Sequence, residues 1–495
     1  MKNIYLSLLC YFLFFPVFID SQEKQSARNP IPDTGQNACY DNFKVIVFPK
    51  PGQPFYGQDA QYEGNIPSYR NNGDGTISDL HTGLMWSQGV DKNKVSLIEA
   101  EQIAKKMNLG GHSDWRVPDI KELYSLIDFR GSTGFSRGNF YSIPSNAIPY
   151  INTDYFAFEF GDIKAGERYI DAQWLSSTKY ASTTMSGNET LFGVNFADGR
   201  IKGYGYKKSG RSRELKKFFA RYVRGPEYGK NSFKDNGDGT ITDQTTGLMW
   251  MQKDSGKAMT WQESLQYAEN LVYAGYNDWR LPNAKELQYI VDYSRSPDTT
   301  NSPAIAAIFH TTAITNEDGK KDYPYFWTST SHLDGPTPGS SAVYVSFGRA
   351  LGKMHEKIMD VHGAGAQRSD FKTGKPMSHG PQGDMVRIQN YVRCVRGGSV
   401  SLKSFPSSEN KNAYPYKLKI QGNISSKNSD KVSTPPSGGM GFVKRLDRDG
   451  DGRVSRAEFD GPKNRFDYHD KNKDGYITEE EAPTGPPPGH GKQPR

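Results

Sequence analysis

Residues 70–128 and 234–292 align at a constant offset of 164 without a gap, and 25 of the 59 aligned positions are identical. A duplication of this length commits the chain to building one supersecondary unit twice. Asn72-Gly-Asp74-Gly75-Thr76 matches Asn236-Gly-Asp238-Gly239-Thr240, and Thr82-Gly-Leu-Met-Trp86 matches Thr246-Gly-Leu-Met-Trp250. Asp114-Trp115-Arg116 matches Asp278-Trp279-Arg280, and Lys121-Glu122-Leu123 matches Lys285-Glu286-Leu287. Further on the offset changes. Trp174-Leu-Ser-Ser-Thr178 is read against Trp327-Thr-Ser-Thr330, and Tyr222-Val-Arg224-Gly225 against Cys394-Val-Arg396-Gly397.

Each copy has the same expected outline. Asn-Gly-Asp-Gly is a hairpin-turn signal between short strands. It resembles half a calcium loop but has no glutamate at the twelfth position, so it reads as a turn. Thr260-Trp261-Gln-Glu263 opens a helix with a capping box, continued by Leu265, Ala268 and Leu271. A second helix follows each Asp-Trp-Arg, carrying Leu287, Ile290 and Val291 in the second copy. Alternation over Ala342–Phe347 predicts a strand. Six of the seven tryptophans fall into three matched pairs, 86 with 250, 115 with 279 and 174 with 327, which favours core packing over ligand stacking. The repeated arginine of Asp-Trp-Arg is expected in a fixed ion pair for the same reason.

Two twelve-residue loops near the C-terminus fit the pattern D-x-[DN]-x-[DN]-G-x5-E. In the first, Asp447, Asp449, Asp451, Arg453, Ser455 and Glu458 hold the ligand positions; in the second, Asp470, Asn472, Asp474, Tyr476, Thr478 and Glu481 do. Ca2+ takes about six to eight oxygens, with a backbone carbonyl from position 7, a water-mediated ligand at position 9 and two oxygens from the final glutamate. Gly452 and Gly475 supply the sharp turn at position 6. Ser455-x-x-Glu458 and Thr478-x-x-Glu481 also read as capping boxes. The loops closely resemble those of the EF-hand family, which implies that Val454 and Ile477 at position 8 pair them back to back. Only eleven residues separate the loops, and Gly461-Pro462 and Pro483 shorten the flanking helices. A compact, weak, structural or environment-sensing Ca2+ site is expected rather than a signalling switch. A solvated acidic turn is the alternative.

A chain of 495 residues suggests about three domains. With 29 Tyr, 26 Phe and 7 Trp it favours packed domains over disorder. Residues 1–21 read as a secretory signal: Lys2, an apolar run from Ile4 to Ile19 and small Ser21. An uncleaved anchor is the alternative, and no other stretch is apolar enough to span a bilayer. Beyond the signal only Cys39 and Cys394 remain. In an exported protein one pair suggests a disulfide, with two unpaired thiols as the alternative. The net charge of +7 does not imply nucleic acid. Ten basic residues lie between Arg200 and Arg224 against the single Glu214. Among them Lys202, Lys207, Lys208, Arg211, Arg213, Lys216 and Lys217 are candidates for holding a polyanion, the alternative being a solvated loop.

The repeated motifs resemble the family named after the C-terminal domain of the Legionella collagen-like adhesin, over nearly all of residues 62–400 in two copies. Tyr56-Gly-Gln-Asp59-Ala-Gln-Tyr62 is similar to a segment that precedes this domain in related proteins. The resemblance implies an exported bacterial protein with a distantly C-type-lectin-like fold, chain ends side by side, and a surface role with sulfated glycans as ligands. Many relatives have a cysteine in the first helix, where this chain has Ala104 and Ala268, and Phe48 stands where relatives of the arm have cysteine. The resemblance thus implies that Cys394 lacks its intradomain partner and points it to Cys39.

The expected fold class is α+β: two tandem C-type-lectin-like mixed domains plus a small all-α EF-hand pair. The organisation reads as a signal peptide at 1–21, an N-terminal arm at 22–61, copies at 62–228 and 229–400, a Ser/Lys/Pro-rich linker at 401–438, the EF-hand pair at 439–484 and a disordered tail at 485–495. Residues 352–390 read as a loop-rich insertion with His355, His362 and His379 as polar loop histidines. There is no nucleophile elbow, HExxH or phosphate loop. The reading is an exported, non-catalytic, calcium-binding adhesin-type protein with glycans or polyanions as partners, no nucleic acid and no membrane span after signal removal. The alternatives are a structural envelope or matrix component stiffened by calcium, and an enzyme. Formylglycine-generating enzymes have a remotely similar fold but use paired cysteines, and the repeats here hold one. A hydrolytic Asp/Glu pair leaves no linear signature.

Overall fold

The computed structural model describes residues 29–135, 139–207, 215–380 and 382–403, and in a C-terminal unit Val443, Leu446, 452–456, 458–459, 466–467, 469–478 and 481–482. The expected signal segment, the tail and nearly all of the linker lie outside these residues. The chain divides into two compact units after Ile420. Sheet dominates the first unit, with two short α-helices in each copy among the described residues.

Each copy opens with a small antiparallel sheet. In the first, Tyr69–Asn71, Thr76–Asp79 and Met85–Ser87 are joined by Val223–Arg224 from the end of the copy. In the second, Phe233–Asp235, Thr240–Asp243 and Leu248–Met251 are joined by Val395–Gly397. The ends of each copy therefore lie side by side. Asn-Gly-Asp-Gly is the turn in both: Gly75 and Gly239 have φ of 85° and 90°, a conformation that glycine adopts without cost. The Asp74 and Asp238 carboxylates accept from the Thr76 and Thr240 amides at 3.0 and 2.9 Å.

Four helices follow from four capping boxes. α1 (Leu97–Lys106) is capped by Ser96, α2 (Ile120–Ser125) by Asp119, α3 (Trp261–Glu269) by Thr260 and α4 (Ala284–Tyr289) by Asn283. In α2 and α4 the capping glutamate has a second task. Glu122 receives both Nη atoms of Arg116 at 2.6 Å, and Glu286 receives those of Arg280 at 2.6 Å. These are the fixed pairs expected for the repeated arginine. The neighbouring Asp114 and Asp278 hold Arg224 and Arg396 of the closing strands at 2.6 Å.

The two copies share one six-stranded antiparallel sheet. Its order is Tyr325–His332, Ser341–Ser346, Gln367–Phe371, Arg200–Lys207, Asn188–Asn195, Gln173–Thr184. The halves meet where Gln367 pairs with Ile201, so one copy's three strands are mirrored in order by the other's. One hydrophobic cluster, including Trp86, Trp174, Trp250 and Phe326, spans both copies. Each copy adds a satellite: Leu97, Ala104, Trp115, Leu175 and Tyr222 in the first, Trp261, Ala268, Trp279, Trp327 and Cys394 in the second.

That packing corrects one sequence equivalence. Leu175 N donates to Phe219 O at 3.0 Å, and Trp327 N donates to Tyr391 O at 3.0 Å. Ser177 N and Ser329 N donate to Pro118 O and Pro282 O at 2.8 Å. Trp327 is therefore the counterpart of Leu175, and Trp174 of Phe326. A one-residue slip along a strand sends the side chain to the opposite face, which is why the two tryptophans sit in different clusters. All six paired-off tryptophans are nevertheless core residues.

Residues 352–390 are also more ordered than expected. Leu351–Met354, Lys357–Asp360, Asp384–Val386 and Met377–His379 make a four-stranded sheet, and Gln367–Phe371 enters the central one. His362 lies in the bend between Lys357–Asp360 and Gln367–Phe371, but it is not a solvated loop histidine. It is buried, with Nε2 2.9 Å from Asp384 Oδ1 and against the Arg368 guanidinium, which also grips Asp384. Burial pushes its imidazole down to about 4.

Cys39 and Cys394 do not pair; both are buried free thiols. Cys39 sits on the arm strand Cys39–Tyr40, whereas Cys394 faces the second copy's satellite cluster beside Ala268. Burial raises both thiols far above their ordinary range.

Two tests follow. Replacing Glu286 by Gln leaves Arg280, 6% exposed, without its charge partner, which should cost about 3–5 kcal/mol by denaturant midpoint. Glu122→Gln should cost clearly less because Arg116 is 41% exposed; equal losses would contradict the asymmetry. In unreduced protein, Cys39 and Cys394 should alkylate only on unfolding; protection that persists in denaturant until reductant is added would restore the disulfide.

Candidate functional site

In the C-terminal unit Val454–Ser455 pairs antiparallel with Tyr476–Ile477, with Val454 opposite Ile477. Both position-8 residues are fully buried in a small core with Val443, Leu446, Phe459 and Phe466. The two loops are thus joined back to back. Asp447, Asp449 and Asp451 lie outside the described residues. Arg453 of the first loop lies 4.3 Å over the Tyr476 ring of the second, and Ser455 donates to Glu458 Oε2 at 2.7 Å.

The second loop is described nearly throughout. Gly475 has φ of 88°, the turn expected at position 6. Asp470 accepts from the amides of Asp474 and Gly475 at 3.1 and 3.0 Å, which folds the loop back over its first residue. Asn472 accepts from the Asp474 amide at 2.9 Å, and Asp474 from the Tyr476 amide at 2.9 Å. Glu481 reaches back across the loop. One oxygen accepts from the Lys471 and Asn472 amides at 3.0 and 3.2 Å, and the other from Thr478 N and Oγ1 at 3.1 and 2.9 Å. The Thr478 amide and these other donors hold the Glu481 carboxyl below the usual range. Positions 1, 3, 5 and 12 therefore all carry side-chain oxygens that accept from the loop's own amides. Among the described residues no three acidic, His or Cys side chains already converge as a metal cluster.

The basic segment divides. Arg200 is half-buried at the seam between the copies, bound to Asp334 and 2.9 Å from Ser369 Oγ. Lys202 donates to the buried Asp198 at 2.6 Å. Arg221 is fully buried and donates to the carbonyls of Ser87 and Ala157 at 2.6 Å; Arg393 makes the corresponding bonds to Met251 and His310 at 2.8 and 3.1 Å. Lys207, Lys216 and Lys217 are what remains near the surface. Lys207 and Leu215 form a bridge that closes the chain around 208–214, the span holding Lys208, Arg211 and Arg213, which lie outside the described residues. Lys207 and Lys217 meet Glu189 and Glu99 at 2.6 and 3.5 Å, both pairs open to solvent. Lys216 is exposed and lies 4.6 Å over the Tyr204 ring.

The arm is built into the first unit. The turn Asp59–Gln61 is wholly buried, and Asp59 accepts from Thr34 Oγ1 and Thr330 Oγ1 at 2.8 and 2.6 Å. Burial raises its carboxyl to about 7. Gln36 clasps the edge strand, its amide exchanging hydrogen bonds with Ser331 N and O at 2.9 and 2.7 Å. Between arm and first copy lies a cavity of about 410 Å3, lined by Asp33, Asn37, Tyr69, Asp128, Arg130 and Tyr155 among others. Its lining is scattered from 33 to 403, so no linear motif announces it.

No helix among the described residues is long and apolar enough to cross a membrane. No curated protein and no solved structure matches the chain. The profile of the Lcl C-terminal domain matches twice, at residues 75–224 and 239–364, together more than half of the 495 residues. Both matches begin at the last glycine of the turn and carry the buried tryptophans, the Arg–Glu fork and the capped second helix described above, and the chain belongs to the Lcl C-terminal domain family.

Proposed function

We propose that this is an exported, non-catalytic, calcium-binding protein of adhesin type, whose duplicated domains hold a polyanion such as a sulfated glycan. The observation that carries the polyanion reading is the Lys207–Leu215 closure. It brings Lys207, Lys216 and Lys217 to the base of a span holding three more basic residues, next to the aromatic surface of Tyr204 and Tyr206. Clustered cations of this kind attract polyanions over a screened range of about a nanometre. The calcium reading rests on the paired loops, where Asp470, Asn472, Asp474 and Glu481 offer oxygens and the Tyr476 carbonyl and Thr478 complete the pattern. The equivalent ligands of the first loop are Asp447, Asp449, Asp451, Arg453 O, Ser455 and Glu458. Calcium would stiffen this module. Residues 1–21 would direct export.

A second reading is a structural envelope or matrix component. Its support is that Arg200, Lys202, Arg221 and Arg224 are spent on internal bonds, leaving fewer cations for a ligand.

Calorimetric titration should show Ca2+ uptake at roughly 10⁻⁴–10⁻³ M, the range of extracellular modules. Glu481→Gln should weaken the second loop's share; no uptake at millimolar ion ends the calcium reading. On a sulfated-polysaccharide column, residues 22–495 should be retained and eluted by salt. Changing Lys207, Lys208, Arg211 and Arg213 together to Ala should lower the eluting salt. Flow-through with calcium-dependent melting would instead favour the structural component.

A further inference from the structure

The internal symmetry of the first unit is broken where the arm packs, apart from the second copy's inserted sheet. In the second copy, the Arg280–Glu286 fork, the N-terminal end of α4 and the edge strand Tyr325–His332 form one face, and the arm lies on it. Tyr62 stacks 5.5 Å from the Arg280 guanidinium, Asp59 takes the Thr330 hydroxyl at 2.6 Å, and Gln36 clasps the Ser331 backbone. Under this cover Ser329, Thr330 and Ser331 are all buried and Arg280 is 6% exposed.

The first copy builds the same face from Arg116, Glu122, Ser177, Thr178 and Lys179. The correspondence is bond for bond. Thr178 Oγ1 accepts from Ile120 N at 3.0 Å as Thr330 Oγ1 accepts from Ala284 N at 3.0 Å. Ser177 Oγ donates to Pro118 O at 3.2 Å as Ser329 Oγ donates to Pro282 O at 3.3 Å. Yet among the described residues no segment covers it. Ser177 and Lys179 are exposed, Thr178 is half-buried and the Arg116 side chain is 41% exposed. The Thr178 hydroxyl proton, whose counterpart goes to Asp59, meets no acceptor among the described residues. Lys179, at the outer edge of the six-stranded sheet, has no counterpart of the Gln36 clasp.

We propose that this uncovered face of the first copy is a docking site for a short turn-forming segment of another polypeptide that carries a carboxylate and, three residues later, an aromatic ring, as the turn Asp59–Gln61 and Tyr62 do. The chemistry is read from the occupied counterpart. A carboxylate meets the Thr178 hydroxyl as Asp59 meets Thr330. An aromatic ring stacks on Arg116 as Tyr62 does on Arg280. Backbone or amide groups satisfy the sheet edge at Lys179, the mode in which exposed edges recruit strands. Lys179 stands where Ser331 does, and an ammonium lies at this point in both faces, since Lys372 Nζ donates to Ser331 Oγ at 2.8 Å in the covered one; an acidic segment therefore suits the free face as it does the covered one. The second copy's face is already filled within the chain, which leaves the first copy's for a partner.

The probe is a fluorescent peptide of residues Phe55–Glu63, titrated into the intact chain and followed by anisotropy. Saturable binding is expected. Thr178→Val removes a hydrogen bond to a charged group and should weaken binding by roughly tenfold or more. Thr178 also caps an amide of α2, so Lys179→Glu, on an exposed side chain, is the second variant; it should weaken binding while melting like the parent. A peptide with its aspartate changed to Ala should bind as poorly as the parent peptide binds Thr178→Val. No binding at millimolar peptide, or binding indifferent to both Thr178→Val and Lys179→Glu, overturns the proposal.

Discussion

The pairing of Gln367 with Ile201 is the contact on which residues 29–403 depend. It turns two three-stranded halves into one sheet, and the largest core cluster exists only because the halves are joined. Charge is buried along this seam. Arg200 of the first copy is bound to Asp334 of the second, and the buried His332 ring lies 2.9 Å from Asp198 O. Burial by itself would raise the Asp334 carboxyl, but the Arg200 guanidinium holds it far below the carboxylate range. A pair of this kind adds little net stability over an apolar seam, yet breaking it strands a charge. It therefore penalises any docking of the halves in which Arg200 and Asp334 miss each other. The helices repeat the device. Lys121 of α2 donates to Gly229 O and Asn231 at 3.0 and 2.9 Å, and Lys285 of α4 donates to Ser125 O at 2.9 Å, each reaching across to the other copy.

The arm then makes the copies unequal. A single segment can cover only one of two related faces, and it covers the second. Buried Asp59, with its carboxyl raised to about 7, is stabilised in the protonated state in the folded chain. The stability this contributes is complete below the ordinary aspartate range and is lost as pH rises through about 7. The clasp between arm and second copy is therefore weakest in alkaline conditions.

Much of this was legible in the sequence because it rests on local rules. The four helix starts are capping boxes, the Asn-Gly-Asp-Gly turns need positive φ at glycine, and an arginine repeated beside a repeated glutamate pairs with it. The back-to-back joining of the two twelve-residue loops was likewise written in two apolar residues at position 8. What escaped depends on distant partners. Trp174 and Trp327 occupy similar strings, but strand registry is set by the neighbours at Phe219 and Tyr391, and a slip of one residue reverses the facing. His362 is the loop residue it looked like, but its burial was not legible, because its partners, Arg368 and Asp384, lie on two later strands of the chain. The arm's burial had no local signature beyond the density of Gln, Asp and Tyr in 56–62. Cys39 and Cys394 were paired on an argument about export and count, to which geometry was indifferent.

The basic segment shows why charge density along a chain overstates charge on a surface. In the strand Arg200–Lys207 alternate residues face opposite sides, and Arg200 and Lys202 are drawn into contacts with Asp334 and Asp198. Arg221 goes furthest. Among the described residues it has no carboxylate partner, and burial lowers its guanidinium to about 9 while carbonyls of Ser87, Gln88 and Ala157 surround it. Its counterpart Arg393 is likewise buried and donates to the carbonyls of Met251, Gln252 and His310, with Asp254 4.0 Å away, so the carbonyl cage is a property of the repeated unit and not of a ligand site. A polyanion would meet only the charges beyond the strand's end, where Lys207 and Leu215 bring the chain back together. Whatever specificity that end has must come from the spacing of a few cations and the aromatic rings beside them, because the rest of the cluster is already part of the core.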